Sequence, residues 1–575
     1  MTFGTSIRTR SDRAASLKLP PGRLASVRHV MQRRDVLLRI GLGGLTILLL
    51  VVATRGWAPP FAYRSGYFPP HDVVARTAFA VTTERHTEHA YSPGDVLARH
   101  RRPLSTGDIR TLHAEHNAML AQERLPELVG RAAASAGVFL LLLTVCGWYV
   151  QVHQRDLWHD VQHLSVLAGA VVLVVVLALL AAHDGWRAES VPLILFGLGL
   201  TVALGRPTGL FFGVTVALVV ALALGQGLPE HLLLASSLVI PVLMLNRIRT
   251  RTKLIQVGVV SGLLVFLLAI SISGVAGQAF GAAHWTHVAE ADEAYSLTRA
   301  GFAARVVAGA AWQGLCVVLA GFLMTGLLPF LERACDVQTD IRLLELGDAA
   351  HPLLQQLAQR APGTYNHSIN VGSIGEAAAE AIGANGLLVR VGAYFHDIGK
   401  MFKPEYFIEN QSAGNQHDSL APAMSTLVII AHVKDGVNLA RQHRLPKSII
   451  DFIQQHHGTT LVEYFYRQAV QREGNAKGTL DESGFRYPGP KPRTREAAVL
   501  MMADGVESAC RSLTDPTPAR IESLVHDIAL KRLLDGQFEA CGLTLSELHT
   551  VQERLVKSLT AVYHGRVKYP GQQTA

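Results

Sequence analysis

Tyr394-Phe395-His396-Asp397-Ile398-Gly399-Lys400 closes an apolar run that starts at Leu387 and breaks at Gly399. The pattern predicts a helix that ends on a neighbouring imidazole and carboxylate, two groups that each demand a polar partner there. Taken alone, a capping Asp beside a surface His would account for the pair. More of the same chemistry follows along the chain: His367, His432, His456 beside His457, and Asp504. Asp504 sits in the apolar run Val499-Leu500-Met501-Met502-Ala503-Asp504-Gly505-Val506, where a carboxylate is costly unless paired or metal-bound. Each histidine alone reads as a surface or satisfied core residue. Together with the two aspartates they form a donor set for divalent metals, with Asp397 the natural bridge between two ions. Most of these histidines fall near predicted helix ends, so several helices can converge on one point.

The elements around them are helical. An Ala-rich segment over 368–382 stops at Gly383, and further helices are expected over 387–395, 424–442, 448–457 and 495–512. The Gly- and Pro-containing stretch 470–493 reads as a long excursion. Strand signals are nearly absent, so the C-terminal region, 351–566, is expected to be all-α. A helix over 335–346 would lead into it, within a linker spanning 331–350.

Composition explains what precedes it. Of 575 residues 49% are hydrophobic and only 17% charged, with a mean hydropathy of +0.24. The apolar excess lies between about 37 and 330. A basic tail, 1–35, carries much of the net charge of +8, which fits membrane topology better than nucleic-acid binding; no DNA or RNA partner is expected. A first apolar run, 36–54, reads as a retained anchor, because the basic region before it is long and no clear cleavage pattern follows. Residues 55–130 hold no spanning run and form a short extracytoplasmic segment, with one amphipathic helix expected over 106–125.

Seven further apolar segments fill 131–330, at 132–151, 163–182, 190–205, 208–226, 230–246, 254–274 and 305–329. Most approach the ~20 residues that cross a hydrocarbon core; the third and fifth are short. Eight spans with the N-terminus inside also place the C-terminus inside, and the cluster Arg247, Arg249, Arg251 and Lys253 falls on the same side. Charges within the bundle keep to loops and span ends, which argues against an ion path. The loop 275–304, with His284, His287 and Asp292, reads as solvated rather than metal-binding. Residues 567–575 are a tail. None of the five cysteines forms a CxxC pair, so no disulfide framework or zinc knuckle is implied.

The order H…HD…H…H…D resembles the HD-domain phosphohydrolases. The flanking residues narrow this: Ala361-Pro-Gly-Thr-Tyr-Asn-His367, Tyr394-Phe-His-Asp-Ile-Gly-Lys400, Tyr406-Phe-Ile-Glu-Asn-Gln411, His432-Val-Lys-Asp-Gly436 and Ile453-Gln-Gln-His-His-Gly-Thr459. Together they are similar to the seven-transmembrane HD family, over residues 36 to 565. The likeness is specific in 335–512 and loose in 56–130, where the family usually carries a much larger external domain. Asn366 departs from a second His often found there.

That resemblance implies an all-α chain, a polytopic helical membrane bundle followed by a cytoplasmic HD domain. It implies a phosphodiesterase of a bacterial inner membrane that linearises cyclic di-AMP. One metal would be held by His367, His396, Asp397 and Asp504, and a second by Asp397, His432 and His456, with His457 a further candidate. Manganese or iron is implied; the residue types alone also permit cobalt or zinc. Asp397 and Lys400 would be catalytic, Lys400 gripping phosphate, although a capping or surface lysine is the alternative. Tyr365, Tyr394, Asn410 and His457 could contact the nucleotide, with core packing the alternative for the tyrosines. Two other readings stay open: a receptor whose HD domain binds nucleotide without turnover, and a hydrolase of cyclic di-GMP or a nucleoside monophosphate. The lipid bilayer, an unidentified extracytoplasmic signal ligand and a homodimer complete the expected partners.

Overall fold

The computed structural model describes residues 34–82, 88–100, 102–245, 248, 250–281, 299–335, 337–411, 414–472 and 481–564. Residues 1–33 of the basic tail, Arg247, Arg249, His284, His287, Asp292 and the tail 567–575 lie outside the described residues. The chain divides into two compact units, Met1–Asn246 with Thr252–Pro329, and Arg247–Arg251 with Phe330–Ala575.

The first unit is an apolar helical bundle. Six helices are long and apolar enough to cross a membrane, and Ser190–Leu204 and Leu228–Met244 are shorter apolar helices. In chain order the bundle comprises α1 (Arg34–Ala53), α3 (Leu125–His153), α5 (Val161–Ala181), α6 (Ser190–Leu204), α7 (Arg206–Ala223), α8 (Leu228–Met244), α9 (Arg251–Ala276) and α10 (Arg299–Cys335). A single turn, α4 (Arg155–His159), separates α3 from α5. The two short helices are the two short segments of the sequence. They pack against each other and against α7, and α6 buries Leu193, Ile194 and Leu198 almost completely. The chain is a multi-pass membrane protein.

Between α1 and α3 a small cluster of strands joins the expected helix. α2 (Thr106–Gln122) starts at a capping box, in which the Ser105 side chain accepts from Asp108 N and the Asp108 carboxylate accepts from Ser105 N. Strands β1 (Val73–Val74) and β4 (Val96–Ala98) pair antiparallel, as do β2 (Phe79–Thr82) and β3 (Glu88–Tyr91). Phe79, Leu97, Leu104, Ile109 and Leu112 form their shared core. The strands add to the sequence expectation: two to four residues are too few for alternation to register as a period.

Among the described residues the elements of the second unit are all helices, with an isolated bridge between Leu461 and Arg486. The expected exit helix over 335–346 is instead two elements. α10 ends at Cys335, and α11 (Asp340–Leu346) starts anew because the Thr339 side chain accepts from Arg342 N and caps it. Then come α12 (Pro352–Arg360), α13 (Pro362–Ala381), α14 (Gly386–Phe395), α15 (Pro422–Gln442), α16 (Lys447–Gln455), α17 (Glu463–Arg472), α18 (Arg495–Arg511), α19 (Pro518–Leu534) and α20 (Leu545–His564). Proline in the first turn starts α12, α13, α15 and α19 without a lost hydrogen bond. α13 and α18 pack together at the centre. One core gathers Val371, Val389, Leu500, Met502 and Val551; another gathers Leu353, Leu357, Phe395, Ile449 and Ile453.

Candidate metal centre

The HD segment lies where one backbone geometry gives way to another. α14 is capped at its start by Asn385, whose side chain accepts from Leu388 N, and ends at Phe395. His396 stands at its C-cap, Asp397 follows, and a 3₁₀ turn runs Ile398–Phe402. Gly399 is dictated by packing: a Cβ there would lie 1.9 Å from the carbonyl oxygen of His432. Only a residue without a side chain lets α15 come this close, which delivers His432 to the site.

Five helices, α13, α14, α15, α16 and α18, or the turns at their ends, bring the seven predicted residues together. His367 sits in the second turn of α13, His432 in the middle of α15, His456 at the C-cap of α16, and Asp504 in the middle of α18. His432 is the exception to the helix-end pattern; it reaches the site because the face of α15 that bears it packs against the 3₁₀ turn. His367, His396, Asp397, His432, His456 and Asp504 are no more than 7% exposed.

Asp397 divides its two oxygens between two pairs of imidazoles. Oδ2 lies 3.1 Å from His396 Nε2 and 3.8 Å from His367 Nε2. Oδ1 lies 3.3 Å from His432 Nε2 and 3.6 Å from His456 Nε2. Asp504 Oδ1 adds to the first pair, 3.1 Å from His367 Nε2 and 3.8 Å from His396 Nε2. Its Oδ2 faces His457 Nδ1 at 3.8 Å.

Every one of the four buried imidazoles is oriented through its other nitrogen. Nδ1–H donates to Ala393 O from His396 (2.7 Å), to Ile429 O from His432 (2.5 Å) and to Ile453 O from His456 (2.8 Å). A carbonyl only accepts, so Nδ1 carries a proton and Nε2 is the atom turned toward the site, ready to ligate once it is unprotonated. For His367 the same task falls to Glu507, whose Oε2 accepts from Nδ1 at 2.5 Å.

These donors fit divalent cations. Asp397, His432, His456 and His457 form one group, and His367, His396 and Asp504 another, each able to hold a metal ion. His396 Nε2 and Asp397 Oδ1 are buried without a hydrogen-bond partner. Two imidazole Nε2 atoms, of His432 and His456, face each other at 3.3 Å. Lone pairs aimed at a common point and at no proton are what ligation requires.

The electrostatics agree. Burial alone would raise Asp397 and Asp504, but the facing imidazoles, with Lys400 beside Asp397, hold both well below the usual carboxylate range. Burial pushes His456 and His457 down, keeping both neutral, the form that ligates.

Other candidates are placed differently. Lys400 Nζ is held by Asp397 Oδ2 at 2.7 Å and Glu409 Oε1 at 2.8 Å, so it is neither a cap nor a surface lysine. Burial would lower it, but the two carboxylates hold it above its ordinary value. Asn410 is committed to α13: its Oδ1 accepts from Thr364 N at 3.2 Å and its Nδ2 donates to Thr364 Oγ1 at 2.8 Å. Tyr365 and Tyr394 pack on the core around Phe395 and Leu353, the alternative their sequence left open. His457 is 22% exposed at its side chain and stacks on Tyr487, 4.3 Å between centroids.

Sequence reasoning passed over Glu507, Arg511 and Tyr487; Glu409, expected with Asn410 and Gln411 as a base contact, is instead paired with Lys400. Glu507 follows Asp504 by three residues and Arg511 follows Glu507 by four, so helical spacing from Asp504 was a usable signal for both. Tyr487 emerges from the 470–493 excursion and carries no such signal.

Residues 131–339 match the family described as 7TM receptor with intracellular HD hydrolase, and residues 364–509 match the HD domain. The cyclic-di-AMP phosphodiesterase PgpH of Bacillus subtilis is 47% identical over 258 residues, 44% of this chain and 36% of that protein. PgpH of Listeria monocytogenes is 45% identical over 249 residues, 43% of this chain and 34% of that protein. A crystal structure of the L. monocytogenes PgpH HD domain in complex with cyclic-di-AMP is 46% identical and covers 38% of this chain and 100% of that one, with a TM-score of 0.36. The chain spans about a third of the length of these curated relatives. The chain is thus similar to the 7TM receptors with intracellular HD hydrolase over residues 131–339, and to HD domains over residues 364–509.

Proposed function

We propose that the chain is a metal-dependent phosphodiesterase that hydrolyses cyclic di-AMP to linear pApA, with its HD domain on the cytoplasmic side of a bacterial inner membrane. The observation that carries the reading is Asp397, each oxygen of which faces its own pair of imidazoles. The substrate follows the name of the PgpH relatives, and the orientation follows the basic residues ahead of the first span.

His367, His396, Asp397 and Asp504 would hold one cation, and Asp397, His432 and His456, with His457, the other. Manganese or iron suits this mixture of imidazole and carboxylate. When bound, two divalent ions lower the pKa of water and offset charge on the phosphoryl oxygens. The protein supplies the rest. The Nδ1 partners hold each imidazole in one tautomer and direction. Lys400 brings a buried ammonium 2.7 Å from Asp397, where, on exchanging a carboxylate for a phosphoryl oxygen, it stabilises the charge that grows as the 3′ ester breaks. Water contributes its hydroxyl to phosphorus and its proton to the departing 3′ oxygen. Tyr487 backs the ring of His457 and limits its rotation.

The test uses the full chain in detergent, loaded with manganese under reducing conditions, with cyclic di-AMP and cyclic di-GMP followed in parallel by chromatography. Linear pApA should appear and should be lost in Asp397→Ala. Metal bound without turnover favours the receptor reading; preferential loss of cyclic di-GMP overturns the substrate.

A further inference from the structure

The membrane unit contains a polar cavity of about 410 Å³, within the size range of small-molecule sites. Its wall is built from the 62–67 segment, the loop between α5 and α6, the turn between α7 and α8, and the 276–281 segment after α9. Gly225 allows that wall to close: its φ is +61°, and a Cβ there would approach Pro60 to 3.1 Å.

Charges of both signs line it. Arg64, Arg187, Glu189 and Glu230 face the space, with the amides of Gln226 and Gln313. Arg187 and Glu189 are each 7% exposed. Arg187 gives its two terminal nitrogens to the carbonyls of Gly281 and Ser65, one of them also lying 3.5 Å from Asp184 Oδ1, and its Nε–H is buried without a partner among the described residues. Glu189 receives the Gln226 amide on Oε1 at 3.2 Å and lies 3.5 Å from Arg64 through the same oxygen. Among the described residues its Oε2 has no hydrogen-bond partner, nor has Gln226 Oε1.

An internal ion pair would not leave these atoms over. Burying a guanidinium donor and a carboxylate acceptor unpaired is costly, so an occupant must offer an acceptor to Arg187 and donors to Glu189 and Gln226. A simple anion would meet two glutamates; a simple cation would meet two arginines. We propose that this cavity binds a zwitterionic small molecule of the amino-acid class, its ammonium against Glu189 and its carboxylate against Arg187 and Arg64. The proposal is independent of the phosphodiesterase reading, because its readout is binding to the membrane unit.

The experiment places the full chain in lipid nanodiscs and measures equilibrium binding of the common L-amino acids, each beside its methyl ester and its N-acetyl form. Saturable binding of at least one free amino acid is expected, lost when either its carboxylate or its ammonium is blocked. Glu189→Gln should weaken that binding about tenfold or more while the metal content of the HD domain stays unchanged. Should that variant fail to fold, the blocked ligands still test the unmodified chain. No binding by any amino acid, or equal binding of the blocked forms, overturns the proposal.

Discussion

Glu507 accepts a 2.5 Å hydrogen bond from Nδ1 of His367, and it is the one carboxylate among the Nδ1 partners of the four buried imidazoles. Arg511, one turn on along α18, donates to Glu507 Oε1 at 2.6 Å, and Asn370 Nδ2 donates to the same oxygen at 3.3 Å. A charged acceptor makes His367 a more basic ligand than a carbonyl would. It also ties α13 to α18 at the point where both present a donor to the same group.

Glu507→Gln should therefore weaken metal binding about 10- to 100-fold and leave turnover largely restored at saturating metal. Metal content against free-metal concentration, set beside activity, reads both. A loss of activity that excess metal does not rescue would place Glu507 in some other role.

Metal binding should tighten as pH rises. Burial alone would lower His396, but the Asp397 and Asp504 carboxylates more than offset it and push the ring up to about 10. At neutral pH the metal-free ring holds a proton that a cation must displace from Nε2. Apparent affinity then gains about tenfold per pH unit for each proton released, up to the folded pKa. Competition with a chelator at about pH 6.5 and about pH 8 checks the slope; a flat response contradicts it.

Gly399→Ala should be among the most damaging single methyls in the HD domain. Its Cβ would meet His432 O at 1.9 Å, both partners being backbone. The cost is expected near the upper end for overpacking, about 3 kcal/mol. Hydrogen exchange over 422–442 should accelerate and metal affinity should fall with it. Unchanged protection of that helix would show that the backbone yields.

Cys510 should be inert in the folded chain. It is fully buried, and burial, with Glu507 beside it, pushes the thiol from 9.0 up to about 11. The folded state favours the protonated thiol, so this contribution to stability is complete below pH 9.0 and fades as pH climbs towards about 11. Iodoacetamide at about pH 8 should modify the Cys510 peptide only after denaturant is added. Rapid labelling of native protein would contradict the burial.

Much of the architecture follows from patterns a single chain displays. Apolar runs of membrane length mark the apolar helices, because any other solvent for them costs too much free energy, although Leu125–His153 and Arg299–Cys335 extend beyond their runs. Proline starts, Asn385 and Gly383 mark the HD helices for the same local reason. The strands of 73–98 escape notice because each is shorter than the pattern that reveals a strand, and the helix break before Asp340 because one threonine cap decides it.

At the site, residue type and order by themselves determined the donor set, since imidazole and carboxylate in apolar surroundings have few other uses. What each donor touches was decided only by the tertiary structure. His367 meets Glu507 across 140 residues of sequence, Asn410 meets Thr364 across 46, and Lys400 is shared between Asp397 and Glu409. Tyr365 and Tyr394 pack against the core around Phe395. Such pairings depend on how helices cross, and helix crossing is set by summed packing over whole faces, which no short stretch of sequence carries.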